Sequence, residues 1–251
     1  MIVELLTQAP VSTAAVLGLS FFYGLQHATD ADHLAAVSTI VAERKSVWSS
    51  AFVGALWGLG HTISLFAAGI LVLFVGTQIS EVTERWLEFG VGVMLTLLGL
   101  NVIRRVVSGG TAHSHTHEHG AGHAHSHPHP HDHGAVHDHT HDEVPTERSR
   151  FSPRALIIGL IHGLAGSAGL MLLMLPTMES TAVGLLYIVI FGVGSIGGMV
   201  LMSLLVGLPF HLTAARFSWL NHALQIVAGV VSAGLGLYII FEKGITEGLL
   251  A

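Results

Sequence analysis

Residues 47–79 read VWSSAFVGALWGLGHTISLFAAGILVLFVGTQI and contain no Asp, Glu, Lys or Arg. About 20 apolar residues are enough to cross the hydrocarbon core of a bilayer as a helix. Only a helix satisfies all of its own backbone hydrogen bonds in lipid, and a run of this length is too long for a barrel strand. The segment therefore predicts a transmembrane helix.

Similar segments occupy most of the chain. Of its 251 residues, 51% are hydrophobic and 10% are charged, whereas soluble domains carry roughly 25% charged residues. This composition excludes a soluble enzyme, a nucleic-acid-binding protein and a disordered protein, and the absence of cysteine excludes disulfides and thiolate metal sites. We predict an all-α polytopic membrane protein with six spans, in Val11–Ala42, Val47–Ile79, Trp86–Arg105, Arg154–Leu175, Ala182–Leu208 and Trp219–Phe241.

The two ends of the chain resemble each other. Three pairs of residues match at nearly one offset: His27 with His162, His61 with Ser195 and Gly99 with Gly236 (162 − 27 = 135, 195 − 61 = 134, 236 − 99 = 137). We therefore divide the chain into a three-helix repeat (1–105), a His-rich segment (106–153) and a second three-helix repeat (154–251). Because each half has an odd number of spans, the halves would be inverted, an architecture that places a substrate site near the bilayer midplane.

The basic residues predict the orientation. Only Arg85 and Lys243 of the ten Lys and Arg residues lie in the terminal segments or in the 2–3 and 4–5 connections. The other eight lie in the 1–2, 3–4 and 5–6 connections, and cytoplasmic connections carry the excess of Lys and Arg. We expect both termini outside the cytoplasm and the His-rich segment inside it.

The segment His27-Ala-Thr-Asp30-Ala-Asp32-His33 places two carboxylates and two imidazoles within an apolar run. Ionisable residues inside a membrane are costly and are functional candidates by default. A divalent cation would balance the carboxylates, and imidazole with carboxylate suits borderline metals such as nickel, cobalt, zinc or ferrous iron. Magnesium or calcium would require more oxygen ligands.

Helix geometry leaves the ligand set open. At about 100° per residue, His27, Asp30 and His33 share one face, and Asp32 points some 140° away from His27. Either that face binds the metal while Asp32 has another role, or the helix is distorted here. A third interpretation is that residues 27–33 form a polar helix end at the cytoplasmic surface. The sequence does not decide whether Asp30 or Asp32 is the direct ligand.

Three further features bear on metal binding. His61 and His162 lie within apolar spans, where each is either a ligand or a packing residue. Thirteen of the 19 histidines lie between His113 and His141, largely in His-x-His repeats. We expect this segment to be disordered and to bind divalent metals, zinc included, without selecting among them. A pH-sensing segment is the alternative, because imidazoles protonate near pH 6.

The motif at residues 27–33 resembles the H-x4-D-H signature of the nickel/cobalt transporter (NiCoT) family. Leu59-Gly-His61-Thr resembles that family's second motif, and residues 159–167, GLIHGLAGS, are similar to the UreH-type nickel permeases. The resemblance implies a six-span prokaryotic inner-membrane permease rather than an enzyme, with no catalytic cofactor. It implies secondary transport of Ni²⁺ or Co²⁺ into the cell, with His27, Asp32, His33 and His61 on the metal path.

Three other functions remain open at this point, and one of them is a zinc transporter, which the His-rich segment favours and the motif at residues 27–33 disfavours. The His-rich segment is also similar to that of nickel/cobalt exporters of the RcnA type, and a membrane metal-binding accessory protein need not transport at all. No Gly-x4-Gly-Lys-Ser/Thr motif occurs, so energy would come from an ion gradient or a separate subunit. The expected partners are the metal ion and the bilayer, without nucleic acid; a homo-oligomer or a cytoplasmic nickel chaperone is left open.

Overall fold

The computed structural model describes residues 13–42, 44, 46–76, 80–108, 113–119, 123–129, 153–165, 174–214 and 217–250. Within these ranges the elements are α1 (Thr13–His27), α2 (Ala31–Val41), α3 (Val47–Val75), α4 (Glu81–Val107), β1 (His113–His119), β2 (His123–His129), α5 (Pro153–His162), α6 (Thr181–Ala214) and α7 (Ser218–Phe241). A 3-10 turn spans Leu175–Thr177, and a π turn, Glu242–Thr246, continues α7.

Four of the helices are long and apolar enough to cross a membrane: α3, α4, α6 and α7 with its π turn. Two of them begin at a serine that caps the first turn. The side chains of Ser46 and Ser80 accept hydrogen bonds from the amides of Ser49 and Thr83, which satisfies donors that a helix leaves unpaired. The second, third, fifth and sixth predicted spans are thus confirmed as helices of spanning length.

The first predicted span is not one helix. α1 ends at His27, and α2 begins after Asp30, whose backbone is extended with φ −61° and ψ 149°. The intervening backbone closes tight turns, in which the Thr29 amide donates to the Gln26 carbonyl at 2.8 Å and the Asp30 amide to that of His27 at 3.1 Å. Distortion of the helix, one of the alternatives above, is therefore confirmed.

The fourth predicted span, Arg154–Leu175, also differs from a continuous helix. α5 ends at His162, where the Ala165 amide donates to the His162 carbonyl at 3.3 Å. Residues 166–173 lie outside the described ranges, and the chain is next described at the 3-10 turn. Gly163 follows the end of α5, and glycine is a poor helix former. α1 and α5 thus end at His27 and His162, which are repeat mates.

Helix packing repeats between the two halves. A Cβ added to Gly24 would overlap the carbonyl oxygen of Phe191, and one added to Gly159 would overlap that of Trp57. Gly24 and Gly159 occupy equivalent positions in the two repeats, as do Trp57 and Phe191, because 159 − 24 = 135 and 191 − 57 = 134. α1 therefore packs on α6 as α5 packs on α3, with span one meeting span five and span four meeting span two. Exchanged partners of this kind are expected of halves related by a twofold axis.

The third and sixth spans, α4 and α7, cross in the same manner. A Cβ on Gly92 would lie 2.9 Å from the carbonyl oxygen of Gly236. A Cβ on Gly229 would likewise lie 2.9 Å from the carbonyl oxygen of Gly99. The mates again differ by one offset (229 − 92 = 137, 236 − 99 = 137). Small residues let helix backbones approach closely in lipid. The packing thus supports the predicted 3+3 inverted repeat.

Large apolar side chains lie on the outside of the helices. Phe22, Trp48 and Leu97 are 65%, 81% and 62% exposed, whereas Trp57 and Met199 are buried in the core. A soluble protein rarely exposes this much apolar surface. The arrangement suits a protein surrounded by lipid.

The His-rich segment differs from the irregular structure that we expect for it. β1 and β2 pair in antiparallel register, with His113 opposite His129 and His119 opposite His123. Composition favours disorder, but strict alternation of residue types has the period of a β-strand. Between residues 109 and 152, the rest of the segment lies outside the described residues.

Candidate metal site

A triplet of imidazoles lies at the end of α1. His27, His33 and His61 each offer a nitrogen, and these atoms lie within 4.8 Å of one another. The Nε2 atoms of His27 and His61 are 3.1 Å apart, and the rings of His27 and His33 are 4.3 Å apart between centroids. All three side chains are buried. We call this group the imidazole triplet.

A second group adds a carboxylate and a residue of the other half. His162 Nε2 lies 2.9 Å from Asp32 Oδ2 and 3.2 Å from His33 Nδ1. Asp32 Oδ1 in turn lies 3.1 Å from His33 Nδ1. We call Asp32, His33 and His162 the carboxylate triplet. His33 belongs to both triplets.

The spacings suit a single small cation in either triplet. With metal–imidazole bonds of about 2.1 Å, two nitrogens at right angles around one ion lie about 3.0 Å apart. The nitrogen–nitrogen distances of 3.1 Å and 3.2 Å are close to this value. Neutral imidazole with one carboxylate is a donor set for nickel, cobalt or zinc rather than magnesium or calcium.

Asp30 lies behind the imidazole triplet rather than in it. Its Oδ2 is 3.0 Å from His27 Nδ1, on the opposite side of the ring from the Nε2 that faces His61. The Asp30 side chain is 38% exposed, against 4% for that of His27. A carboxylate in this place fixes the tautomer and orientation of a ligating imidazole. The helix-face alternative, with Asp30 as a direct ligand, does not fit this geometry.

The break between α1 and α2 positions four of these residues. His27 is the last residue of α1, and Asp32 and His33 lie in the first turn of α2. A carboxylate is favourable there, because the N-terminus of a helix carries partial positive charge. Asp32 Oδ1 also accepts the amide N–H of His33 at 2.9 Å. Asp30 precedes α2, and its side chain makes no capping hydrogen bond there.

His162 reaches the site because α3 and α5 approach closely. A Cβ on Gly60 would overlap the Leu156 carbonyl oxygen, and one on Gly163 would overlap the Ser64 hydroxyl and the His61 carbonyl oxygen. Both positions therefore require glycine for the close approach. The sequence alone does not decide whether His162 is a metal ligand or a packing residue. This arrangement favours the metal ligand.

Several buried nitrogens of the site have no hydrogen-bond partner in the part of the chain that the structure describes: His33 Nε2, His61 Nδ1, His162 Nδ1 and Trp57 Nε1. Leaving a buried donor or acceptor unpaired costs about 1–3 kcal/mol. Unpaired polar groups of this kind are expected at functional sites more than in a structural core. The cluster is thus not a self-sufficient hydrogen-bond network.

Trp57 is a residue of the site that the sequence analysis does not identify. Its ring lies 5.3 Å from that of His33 and 5.7 Å from that of His162, and it is 1% exposed. The available signal was its spacing, since residues 57 and 61 are one helical turn apart on α3. His211 and His222, in contrast, are exposed.

Comparisons with known proteins bear on this arrangement. The family model NicO, described as "High-affinity nickel-transport protein", matches residues 13–241. The urease accessory protein UreH of Bacillus sp. (strain TB-90) is 36% identical over 239 residues, which cover 95% of this chain and 96% of that protein. The chloroplast protein FOR GROWTH AND FERTILITY 2 of Arabidopsis thaliana is 27% identical over 240 residues, which cover 95% of this chain and 59% of that protein.

A shorter match concerns the high-affinity nickel transport protein of Cupriavidus necator, which is 30% identical over 91 residues, 35% of this chain and 26% of that protein. No solved structure matches the chain.

The family match covers the helical region from the start of α1 to the end of α7. It includes both halves of the first span, the four long helices and all six residues predicted as metal ligands. The resemblance to nickel transporters and to UreH that the motifs at residues 27–33, 59–62 and 159–167 indicate is confirmed. The chain is a membrane protein and belongs to the NicO family of high-affinity nickel-transport proteins.

Proposed function

We propose that this protein is a secondary transporter that carries Ni²⁺, and Co²⁺ as a second cargo, across a prokaryotic inner membrane into the cytoplasm. One observation carries the proposal: four buried imidazole side chains and the partly buried carboxylate of Asp32 converge where a membrane helix is broken. Non-helical backbone at membrane depth is tolerated where it is buried or lines a cavity. In transporters, broken helices of this kind form the substrate site.

The ligand chemistry supports the choice of cargo. His27, His33, His61 and His162 supply imidazole, and Asp32 supplies one negative charge that offsets part of the charge of a dication. Asp30 holds His27 from behind at 3.0 Å. Imidazole-rich sites bind late first-row metals in preference to magnesium. The same donor set supports cobalt as a second cargo. The resemblance of residues 27–33 to the NiCoT signature supports uptake as the direction of transport.

The His-rich segment has a separate role in this proposal. Its thirteen histidines lie on the connection that the distribution of basic residues predicts to be cytoplasmic. Many weak sites near the exit raise the local concentration of metal without forming the barrier. The segment would therefore collect nickel or zinc after passage and leave the path itself to the helices.

Transport can be tested with purified protein in liposomes that contain a nickel-sensitive dye. The wild type is expected to admit external Ni²⁺, and Asp32→Asn and His33→Ala are expected to abolish the signal. His222→Ala is the matched control, since it removes an exposed histidine outside the site. Equal signals from all three variants and the wild type would exclude the site. Accumulation of radioactive nickel by intact cells would establish the direction, and lower accumulation than in cells without the protein would indicate export.

A second candidate function is supported by the comparisons. The relative that is 36% identical is named a urease accessory protein, which is consistent with a membrane protein that binds nickel and passes it to an enzyme. The same liposomes distinguish the two functions. Nickel binding to the purified protein without flux would favour the accessory role.

A further inference from the structure

A pocket at one end of the bundle lies apart from the metal site. It is formed between α2, α4 and α5, toward the ends that lead into the 1–2 and 3–4 connections. Its polar lining consists of Arg44, Arg154, Asn101 and Thr39, and no acidic residue is among the described residues that line it. We call it the arginine pocket. It shares no lining residue with the two triplets.

The two arginines reach the pocket from different elements. Arg44 follows α2, and its amide donates to the Val41 carbonyl at 2.9 Å. Arg154 lies in the first turn of α5, which begins at Pro153. A guanidinium is not deprotonated in proteins, so two permanent positive charges line the pocket. A divalent cation would be repelled there, which separates the pocket from the nickel path.

Helix dipoles favour one of these charges and oppose the other. Arg44 follows the C-terminal end of α2, where partial negative charge favours a cation. Arg154 lies at the N-terminal end of α5, where a cation is disfavoured and an anion is favoured. α5 has no acidic residue in its first turn. A helix N-terminus beside two guanidiniums is an arrangement that favours a bound anion.

The three helices of the pocket do not supply this anion. Asp32 of α2 is in the metal site, and the glutamates of α4 lie at its other end, at positions 81, 84 and 88. α5 has no acidic residue at all. The anion that the pocket favours therefore comes from outside α2, α4 and α5.

Size and depth indicate the kind of anion. The cavity has a volume of about 50 Å³, and one water needs about 10–15 Å³, so the space suits a group with about four oxygens, such as a phosphate. Arg104 lies one turn beyond Asn101 on α4, and basic residues at the ends of spans mark the level of the lipid headgroups. Leu98 and Ile158 form part of an apolar lining, which suits the lipid side of a headgroup.

We propose that the arginine pocket binds the phosphate group of an anionic phospholipid. Arg44 and Arg154 donate to the phosphate oxygens, Asn101 adds an amide donor, and the acyl chains stay in the bilayer. Thr39 is not a donor, because its hydroxyl donates to the Ala36 carbonyl at 2.7 Å. Basic pockets between spans on the cytoplasmic side bind headgroups of this kind. The distribution of Lys and Arg predicts that this side is cytoplasmic.

The pocket lies close to the elements that carry the metal site. Ile158 in its lining is one turn before His162 on α5, and Ile40 is two turns after His33 on α2. A phosphate bound there joins the helix of His33 to the helix of His162. Because a ligand that binds only the folded state stabilises it, the lipid should raise the unfolding temperature whether or not nickel is present.

The purified full chain is tested in detergent micelles. Retained lipid is measured by native mass spectrometry, and the midpoint of thermal unfolding is measured with each added probe. The probes are dioleoyl phosphatidylglycerol, dioleoyl phosphatidylcholine, which has the same phosphate without net charge, and inorganic phosphate. Arg44→Gln, Arg154→Gln and Asn101→Leu alter the pocket. Arg104→Gln is the matched control, since it removes a cation at the same end of the bundle but outside the pocket.

The wild type should retain phosphatidylglycerol in preference to phosphatidylcholine and should unfold at a higher temperature with it. Arg44→Gln and Arg154→Gln should each weaken its binding about tenfold, because each removes a charge-assisted hydrogen bond. Asn101→Leu fills the pocket without changing its charge and should weaken binding as well. Arg104→Gln should stay within about twofold of the wild type, since exposed charges are screened. Arg44→Lys and Arg154→Lys, which keep the charge but lose the planar fork, should give smaller losses and replace any glutamine variant that does not assemble.

Four results would overturn the proposal. Equal losses in Arg104→Gln and in the pocket variants would indicate a general attraction of this end of the bundle to anionic lipid. Equal retention of phosphatidylcholine would show that charge is not selected, and no retained lipid would exclude the site. Displacement of the lipid by millimolar inorganic phosphate, with the same rise in unfolding temperature, would make the pocket a site for a free anion. None of these measurements uses nickel, so they are independent of the proposed transport.

Discussion

The two carboxylates of the signature segment should differ sharply in their effect on nickel binding. Asp32 lies among the proposed ligands, at 2.9 Å from His162 Nε2. Asp30 reaches an ion in the imidazole triplet only through the ring of His27. Adding the 3.0 Å contact, the width of the ring and a metal–nitrogen bond of about 2.1 Å gives a separation of about 7 Å.

The magnitude follows from that separation. A single negative charge and a dication about 7 Å apart attract by about 1 kcal/mol in water and by about 5 kcal/mol at an effective dielectric constant of 20. The Asp30 side chain is 38% exposed, so screening moves the value toward the lower figure. Asn at position 30 can still accept the hydrogen bond of His27. We therefore expect Asp30→Asn to raise the Kd for Ni²⁺ about tenfold, within the range of supporting carboxylates.

Asp32→Asn should be far more severe, because it removes the charge from a group that contacts two ligands directly. We expect a loss of at least about 1000-fold in affinity, or about 4 kcal/mol. Isothermal titration of both variants in nanodiscs, with flux measured in parallel, checks the order. An Asp30→Asn defect equal to or larger than that of Asp32→Asn would refute this assignment and restore the helix-face alternative.

Three other perturbations have defined outcomes. Gly159→Leu should separate α5 from α3, displace His162 and reduce nickel flux at least tenfold while the protein still inserts, as measured in liposomes and by size-exclusion chromatography; unchanged flux would show that the close approach is dispensable. In a chain without native cysteine, a cysteine at Ser80 should react with an impermeant reagent from outside and one at Ser126 should not; the reverse pattern would invert the orientation. Deletion of residues 111–142 should preserve flux at saturating nickel and lower cellular retention at limiting nickel; a complete loss of flux would make the segment part of the path.

Much of the fold follows from the sequence because hydropathy and span length are local properties. Four spans need only about 20 apolar residues in a row, and the structure has them as long helices. The break after His27 is harder to predict. The run from Val11 to Ala42 is apolar enough to be one helix, and the segment contains no proline near the break. The main sign of the break was that, on a regular helix, Asp32 would point away from the face that His27, Asp30 and His33 share.

The site is less predictable, since its members meet across long stretches of chain. His162 contacts Asp32 from 130 residues away, and neither local pattern indicates the partner. Trp57 was missed because an aromatic residue in an apolar helix is usually a packing residue. The strands β1 and β2 show the opposite case: the alternation was visible in the sequence, but a composition poor in apolar residues favoured an irregular segment.

The packing of the halves is more symmetric than their chemistry. The glycine contacts of α1 with α6 are repeated by α5 with α3 at offsets of 134 and 135. The ligands are not repeated: an offset of 135 takes Asp32 to Ser167 and His33 to Ala168, and His61 corresponds to Ser195. Among the described contacts of the site, the second half contributes one of the proposed ligands, His162. Any rocking of one half against the other therefore changes the distance of His162 from Asp32 and His33 while the imidazole triplet stays intact.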